Sequence, residues 1–325
     1  MSAPDAAEAA SLDDLLRRWA ATTPDALALA GAVDQLEWSF SGLDAEVSRV
    51  AARLHAFELG ARASILVAGA ASPHTLVAAL AAMRAGLRTG LAPLSFGVDG
   101  LAAACAACGA SALIGAGGHE FGEVPVVLAT TAAQSPKVRL VASCGTDAAV
   151  SVINLDEAGD SAAVDPAPEI LPPETFAPGP AGLTPVAHSA RKLCASALDL
   201  RRARPAGDNA PVLSTLAPVT LAGLVSGPAA AWLSGRALWL HGPFESRAFA
   251  GMLARAGRAH VVAPAAAAVL CDADAAASLT LLHRHADNAR LPPAQPPLRW
   301  QSGTPRQIDL HAFGERQVLA IARFV

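Results

Sequence analysis

Apolar positions recur along this chain with two periods, and the alternation between them predicts its elements. Leu12, Leu15, Leu16 and Trp19 share one helical face behind Ser11, which has Asp14 three residues on, as in an N-terminal cap. Ser41 and Asp44 repeat the device ahead of a stripe of Leu43, Val47, Val50 and Leu54. Ile65 to Val67 has strand character. Ser72-Pro73 then opens a helix, with proline where the first turn tolerates it, and Gly86 closes it. Leu113-Ile114, Val126 to Leu128, Val138 to Val141 and Val152 to Leu155 are further short apolar runs that read as strands.

Pro166, Pro168, Pro172, Pro173, Pro178 and Pro180 interrupt this rhythm. The division expected is a disordered 1–10, a first α/β subdomain over 11–160, a linker or loop over 161–180, and a second α/β subdomain over 181–325. In the second part a helix is expected over His188 to Leu200, a strand over Val212 to Leu216 and a helix over Gly223 to Leu233. A strand at Ala237 to Leu240, a helix capped by Ser246 and a strand starting at Val261-Val262 follow. After a Pro-rich stretch around Leu291 to Pro297, the pieces 307–313 and 318–324 complete the pattern, and the run ending at Val325 reads as a strand of a truncated domain with an exposed apolar edge. The fold class expected is α/β, with two sequential, mostly parallel sheets flanked by helices.

Composition narrows the function classes. Hydrophobic residues are 53% of the chain but aromatics only 4%, so the core is built from Ala, Leu and Val, with Trp19, Trp38, Trp232, Trp239 and Trp300 as large fillers. A net charge of −4 without any basic run gives nucleic acid no electrostatic footprint. The first ten residues carry Asp5 and Glu8 but no Lys or Arg, the wrong charge for a secretory or mitochondrial address. Apolar stretches such as Leu76 to Met83 are too short to span a bilayer. Five irregularly spaced cysteines fit a reducing compartment better than a disulfide framework, so a cytoplasmic protein without membrane partners is expected.

Several motifs fall short of the chemistry they suggest. Gly115, Gly117 and Gly118 follow a strand like a dinucleotide-binding turn, but Glu120 stands where the last glycine belongs; an oxidoreductase of that type is a distant alternative. His119-Glu120 is followed by Glu123 where a zinc helix needs a second His, and Gly122 spoils the helix. His283 and His285, with Asp272 and Asp274 nearby, read as a solvated polar helix end rather than a metal cluster. Cys105 and Cys108 read as small core fillers of an Ala-rich helix. No Gly-x-Ser-x-Gly elbow occurs, and no catalytic residue or metal ligand is assigned.

The segment from Phe176 to Ser189, with Gly179, Pro180, Ala181 and Gly182, has the layout of a glycine-rich loop entering a helix. It resembles the phosphate loop of the adenylate-forming (AMP-binding) enzymes, the acyl-CoA synthetases and aryl-acid ligases, whose loop reads Thr-Ser-Gly-Thr-Thr-Gly-x-Pro-Lys-Gly-Val. Further segments resemble this family in order: Thr23 to Leu29, Trp38 to Leu43, Ala78 to Gly86, Ala92 to Leu94, Leu213 to Leu224, Ser234 to Ala237 with Phe244, and His260 to Pro264. Phe313, Gly314 and Glu315 fall where the family has Tyr-Gly-x-Thr-Glu.

The resemblance implies the large N-terminal domain of a ligase that uses ATP and Mg to activate a carboxylic acid. Gly179, Gly182, Phe313, Gly314 and Glu315 would be the vestiges of its nucleotide site, and Thr220, Gly223 and Pro264 would border the acyl pocket. Pro178, Pro180 and Ala181 replace the loop hydroxyls, Pro185 replaces its Lys, and Arg316 and Gln317 replace the later Thr and Glu. Prolines also remove amide donors that would face pyrophosphate. ATP and Mg are therefore doubtful cofactors, and the C-terminal domain with the family's acyl-contacting Lys is expected to be missing. The expectation is a protein unable to adenylate on its own: an acid–thiol ligase completed by another polypeptide or homo-oligomer, or a pseudo-ligase retaining a carboxylic-acid or partner-binding surface.

Overall fold

The computed structural model describes residues 11–31, 36–60, 62–117, 124–145, 152–157, 169–205, 208–270, 276–293, 296, 298 and 306–323. The expectations for residues 1–10, for Gly118 to Glu123, for Asp272 and Asp274, for Trp300 and for Val325 lie outside the described residues.

Helix α1 (Leu12–Thr22) starts as its sequence dictates, with Ser11 accepting from the Asp14 amide. Strands β1 (Leu27–Gly31) and β2 (Glu37–Ser39) lead into α2 (Phe40–Ala56). The cap of α2 is Ser39, which accepts from the Gly42 amide; the helix starts before Ser41, whose hydroxyl instead bonds the Pro24 carbonyl. Strand β3 (Ser64–Gly69), α3 (Pro73–Arg84, capped by Ser72), β4 (Arg88–Pro93), α4 (Gly97–Cys108) and β5 (Ala112–Ala116) follow the expected rhythm.

The run Val126 to Leu128, read as a strand, belongs instead to α5 (Val124–Ala133). Its β-branched residues favour a strand locally, but packing decides. Val124 and Leu128 seat over Gly115 of β5, where a Cβ would lie 2.8 and 2.5 Å from them. Strands β6 (Leu140–Cys144) and β7 (Ile153–Asn154) complete the first half.

The proline-rich stretch read as linker or loop carries β8 (Glu174–Gly179), which pairs with β9 (Gly182–Ala187). Helix α6 (Ala190–Ala203) and β10 (Val212–Ser214) follow. Next, α7 (Leu221–Leu224) runs through a π-helical turn over Val225–Ala229 into α8 (Ala230–Trp232). Strand β11 (Leu238–Leu240) precedes α9 (Ser246–Ala256), whose cap is Glu245 rather than Ser246. The described chain ends with β12 (Ala259–Pro264), β13 (Ala276–His285), β14 (Arg306–Phe313) and β15 (Gln317–Ala322). His283 and His285 lie in β13, not at a helix end. The strand is buried through Leu282, so it lacks the alternation that marks a half-exposed strand.

The strands form two mostly parallel sheets, ordered β15-β14-β13-β12-β10-β11-β1-β2 and β7-β6-β5-β3-β4-β8-β9. The two halves of the sequence therefore interleave: β1 joins the far sheet beside β11, and β8 joins the near sheet beside β4. The largest apolar cluster lies between the sheets, around α1, α2, α3, α6 and α8. Phe249, Met252 and Leu253 of α9 cover the outer face of the first sheet, burying apolar surface worth about 2 kcal/mol per side chain. Helices α4 and α5 cover the other, with Cys105 and Cys108 buried as core fillers. Burial pushes the Cys105 thiol up to about 11, out of range for a reactive thiolate.

Candidate nucleotide and acyl site

Parallel strands β4, β13 and β14 end on the same side of the molecule, where open α/β sheets place ligands because loops there leave a crevice. A cavity of 280 Å³ opens between the ends of the two sheets. Its polar lining comes from Thr175 of β8, Thr220 at the start of α7, Arg284 and His285 at the end of β13, and Glu315 after β14. Pro178 and Gly314 complete this part of the wall.

Glu315 sits in the turn from β14 to β15, which Gly314 makes possible at φ +52°. Its Oε2 accepts from the Leu221 amide at 2.6 Å, placing the carboxylate at the start of α7, where free amides favour negative charge. Burial raises the Glu315 carboxyl above its ordinary value, with the Leu221 amide and the Thr175 hydroxyl pulling the other way. Thr175 Oγ1 also lies 2.7 Å from Nε2 of the fully buried His188. Burial, with the Lys192 charge second, lowers His188 to about 4, so it is neutral near pH 7. When Thr175 donates to Glu315, His188 Nε2–H donates to Thr175, giving a polar file from the residues between β9 and α6 into the cavity.

Behind His285 the rings stack in sequence. His283 on His311, His311 on His285, and His285 on Phe313 have centroid spacings of 5.0, 5.2 and 5.0 Å. The parallel register sets this, pairing His283 with His311 and His285 with Phe313. His283 Nε2 meets Asp309 at 2.8 Å, and Arg323 meets the same carboxylate at 2.7 Å. Burial works against the Asp309 charge, yet these two partners hold its carboxyl below the usual range.

The segment expected to be a phosphate loop is a β-hairpin. Gly179 pairs with Gly182, so Pro180 and Ala181 form a two-residue turn, with Gly182 at φ +108°. Phe176 anchors it, buried against Gly90 of β4. Pro178 is tolerated because β4 pairs β8 only at Gly90–Glu174, and Pro185 because β9 is an edge strand. The turn offers a triphosphate no hydroxyl and no Lys. Lys137 and Lys192 are the chain's two lysines, and Lys192 is held at 2.5 Å by the Arg316 carbonyl.

Thr220, Gly314 and Glu315 thus meet in one cavity, and Phe313 stacks just behind it. Gly179 and Gly182 lie in the exposed hairpin turn. Gly223 is buried one turn into α7, where a Cβ would lie 2.0 Å from the Ala217 carbonyl oxygen. Pro264 ends β12 beside Leu282; neither it nor Gly223 lines the cavity. Thr175, His188 and Arg284 were not singled out in the sequence as site residues, and His285 was read there only as part of a polar helix end. The pairs His283/His285 and His311/Phe313, two residues apart, were the available signal for a shared strand face.

A model of the AMP-binding enzyme family matches residues 16–181, just over half of the chain. The chain belongs to the AMP-binding enzyme family. Among solved structures, this AMP-binding protein resembles the luciferase-like enzyme from the nonluminescent Zophobas morio mealworm, at TM-score 0.72 and 11% identity over 86% of this chain. It resembles Mycobacterium smegmatis MbtA at TM-score 0.66 and 19% identity over 84%. It also resembles the anthranilate CoA ligase AuaEII in complex with anthranoyl-AMP, at TM-score 0.73 and 12% identity over 95%. The chain spans 67%, 52% and 61% of those chains, respectively. No curated protein matches the sequence. The two mostly parallel, helix-flanked sheets are the fold of the adenylate-forming N-terminal domain. Among the described residues, no helix is long and apolar enough to cross a membrane.

Proposed function

We propose that this AMP-binding protein is a relative of the ATP-dependent carboxylic-acid ligases that binds a small carboxylic acid but does not adenylate it on its own. The hairpin turn Gly179–Pro180–Ala181–Gly182 carries the reading. Attack of a carboxylate on an α-phosphate releases pyrophosphate, whose charge must be met by hydroxyls, amides and a Lys. Here the turn has no hydroxyl, proline stands at the Lys position, and three prolines of the segment lack an amide hydrogen. The cavity beside it remains suited to a small acid, with Arg284 as the cation and Thr175 and Thr220 as hydroxyl partners. A solved structure of the same fold, the anthranilate CoA ligase AuaEII, is in complex with anthranoyl-AMP, which supports a carboxylic acid as the class of ligand.

Carboxylate-dependent exchange of labelled pyrophosphate into ATP tests the reading, with aryl and short aliphatic acids and Mg present. No exchange is expected from this chain alone, while binding of an acid should weaken by roughly tenfold in Arg284→Gln. Exchange above background in the wild-type chain overturns the proposal.

A further inference from the structure

The opposite end of the first sheet carries a second concave site. Helix α6 ends near the start of β10, and the chain enters β11 and β12 beside it. Around a cavity of 510 Å³ stand Arg201, Arg202, Arg204, Arg236 and Asn209. The volume lies in the range of small-molecule pockets. Cations in the last turn of a helix complement its carbonyl ends, which accounts for the exposed Arg201 and Arg202. It does not account for Arg204.

Arg204 is only 3% exposed, and its Nε and Nη2 have no hydrogen-bond partner. Burial first, and the Arg236 charge second, lower its guanidinium to about 9. A buried cation beside another cation, with no carboxylate paired to it among the described residues, destabilises a fold unless something neutralises it. Asp199 pairs with Arg202 on the exposed face of α6. Asp208 spends one oxygen on the Ala210 amide and leaves the other buried without a partner; its charge partly offsets that of Arg236, but among the described residues it forms no ion pair with Arg204 or Arg236.

Arg236 is held in place. Its Nη1 donates to His260 Nε2 at 2.7 Å, and its Nη2 donates to the Asp208 carbonyl. An arginine only donates, so His260 carries its proton on Nδ1 and gives it to Ser278 Oγ at 2.8 Å. Burial, then the charges of Arg204 and Arg236, lower His260 to about 3 and keep it a neutral acceptor. Arg236 Nε is left without a partner.

We propose that this arginine pocket binds the phosphoryl group of a small phosphorylated molecule, with the unpartnered donors of Arg204 and Arg236 on its oxygens and Arg201 at the rim. Planar guanidinium forks match tetrahedral oxyanions through paired N–H donors, and several converging forks suit a dianion better than a single carboxylate. The site is independent of the cavity at the carboxyl ends of the strands.

Calorimetry and thermal unfolding of the full chain with inorganic phosphate, pyrophosphate or citrate, against sodium chloride at matched ionic strength, test the assignment. Phosphate and pyrophosphate are expected to bind and to raise the melting temperature. Binding should fall by roughly tenfold or more in Arg204→Met and in the surface variant Arg201→Gln, and should persist in Arg284→Gln at the other cavity. Arg201→Gln keeps the test decisive if Arg204→Met folds poorly. Absence of binding at millimolar probe, equal effects of chloride or citrate, or binding indifferent to both arginine variants would overturn it.

Discussion

Glu315 joins two demands at one carboxylate. It holds the Leu221 amide at the start of α7, and it faces a cavity that removes it from water. Burial outweighs the hydrogen bonds, so its folded pKa lies above the unfolded one. A raised acid stabilises the fold fully below the ordinary carboxylate range, and that contribution is lost as pH rises through the folded value. Wild type should therefore lose stability relative to Glu315→Gln as pH climbs from about 4 toward neutral, read as diverging urea midpoints. Glu315 and Thr220 were legible in the sequence because colinear motifs bracket them. Thr175, Arg284 and His285 were not, because their meeting depends on which strands end together. The pairing of His188 with Thr175 depends on a hairpin that a proline-rich stretch conceals.

The helices between the sheets are tied by an ion pair out of reach of water. Arg84 of α3 meets Asp13 of α1 at 2.5 Å and Asp44 of α2 at 2.7 Å, with Arg84 2% and Asp13 0% exposed. Removing Asp13 leaves the buried Arg84 with only the partly exposed Asp44 as a carboxylate partner, so Asp13→Asn should cost about 3 kcal/mol in urea unfolding. Asp44→Asn should cost far less, since Asp44 is 31% exposed. Caps made α1 and α3 readable, because Ser11 and Ser72 act through local hydrogen bonds that need no tertiary partner. Helix α5 was unreadable for the opposite reason: only the close approach of Val124 and Leu128 to Gly115 overrides its β-branched residues. The same holds for β8 and β9, whose prolines are excused by their places in the sheet rather than by their neighbours in sequence.

At the scale of the molecule, the two-sheet class followed from alternating strands and helices, but the traffic between sheets did not. Nothing in the composition of Leu27–Gly31 says that it pairs with Leu238–Leu240. Because each half of the sequence donates strands to the other's sheet, the halves should not unfold separately. Trp19 reinforces the link, its indole N–H donating to the Trp232 carbonyl at 2.5 Å. Tryptophan fluorescence and far-ultraviolet circular dichroism should report one coincident urea transition; two resolved transitions would contradict this account. The interleaving also sets a timetable for the ribosome. Strand β1 emerges early, yet its partner β11 is made about two hundred residues later, a wait on the order of ten seconds or more at usual elongation rates. Through that interval the nascent chain holds an apolar strand that β2 can pair along one edge only, so its yield in a cell should depend on chaperones that shield its amino-terminal end.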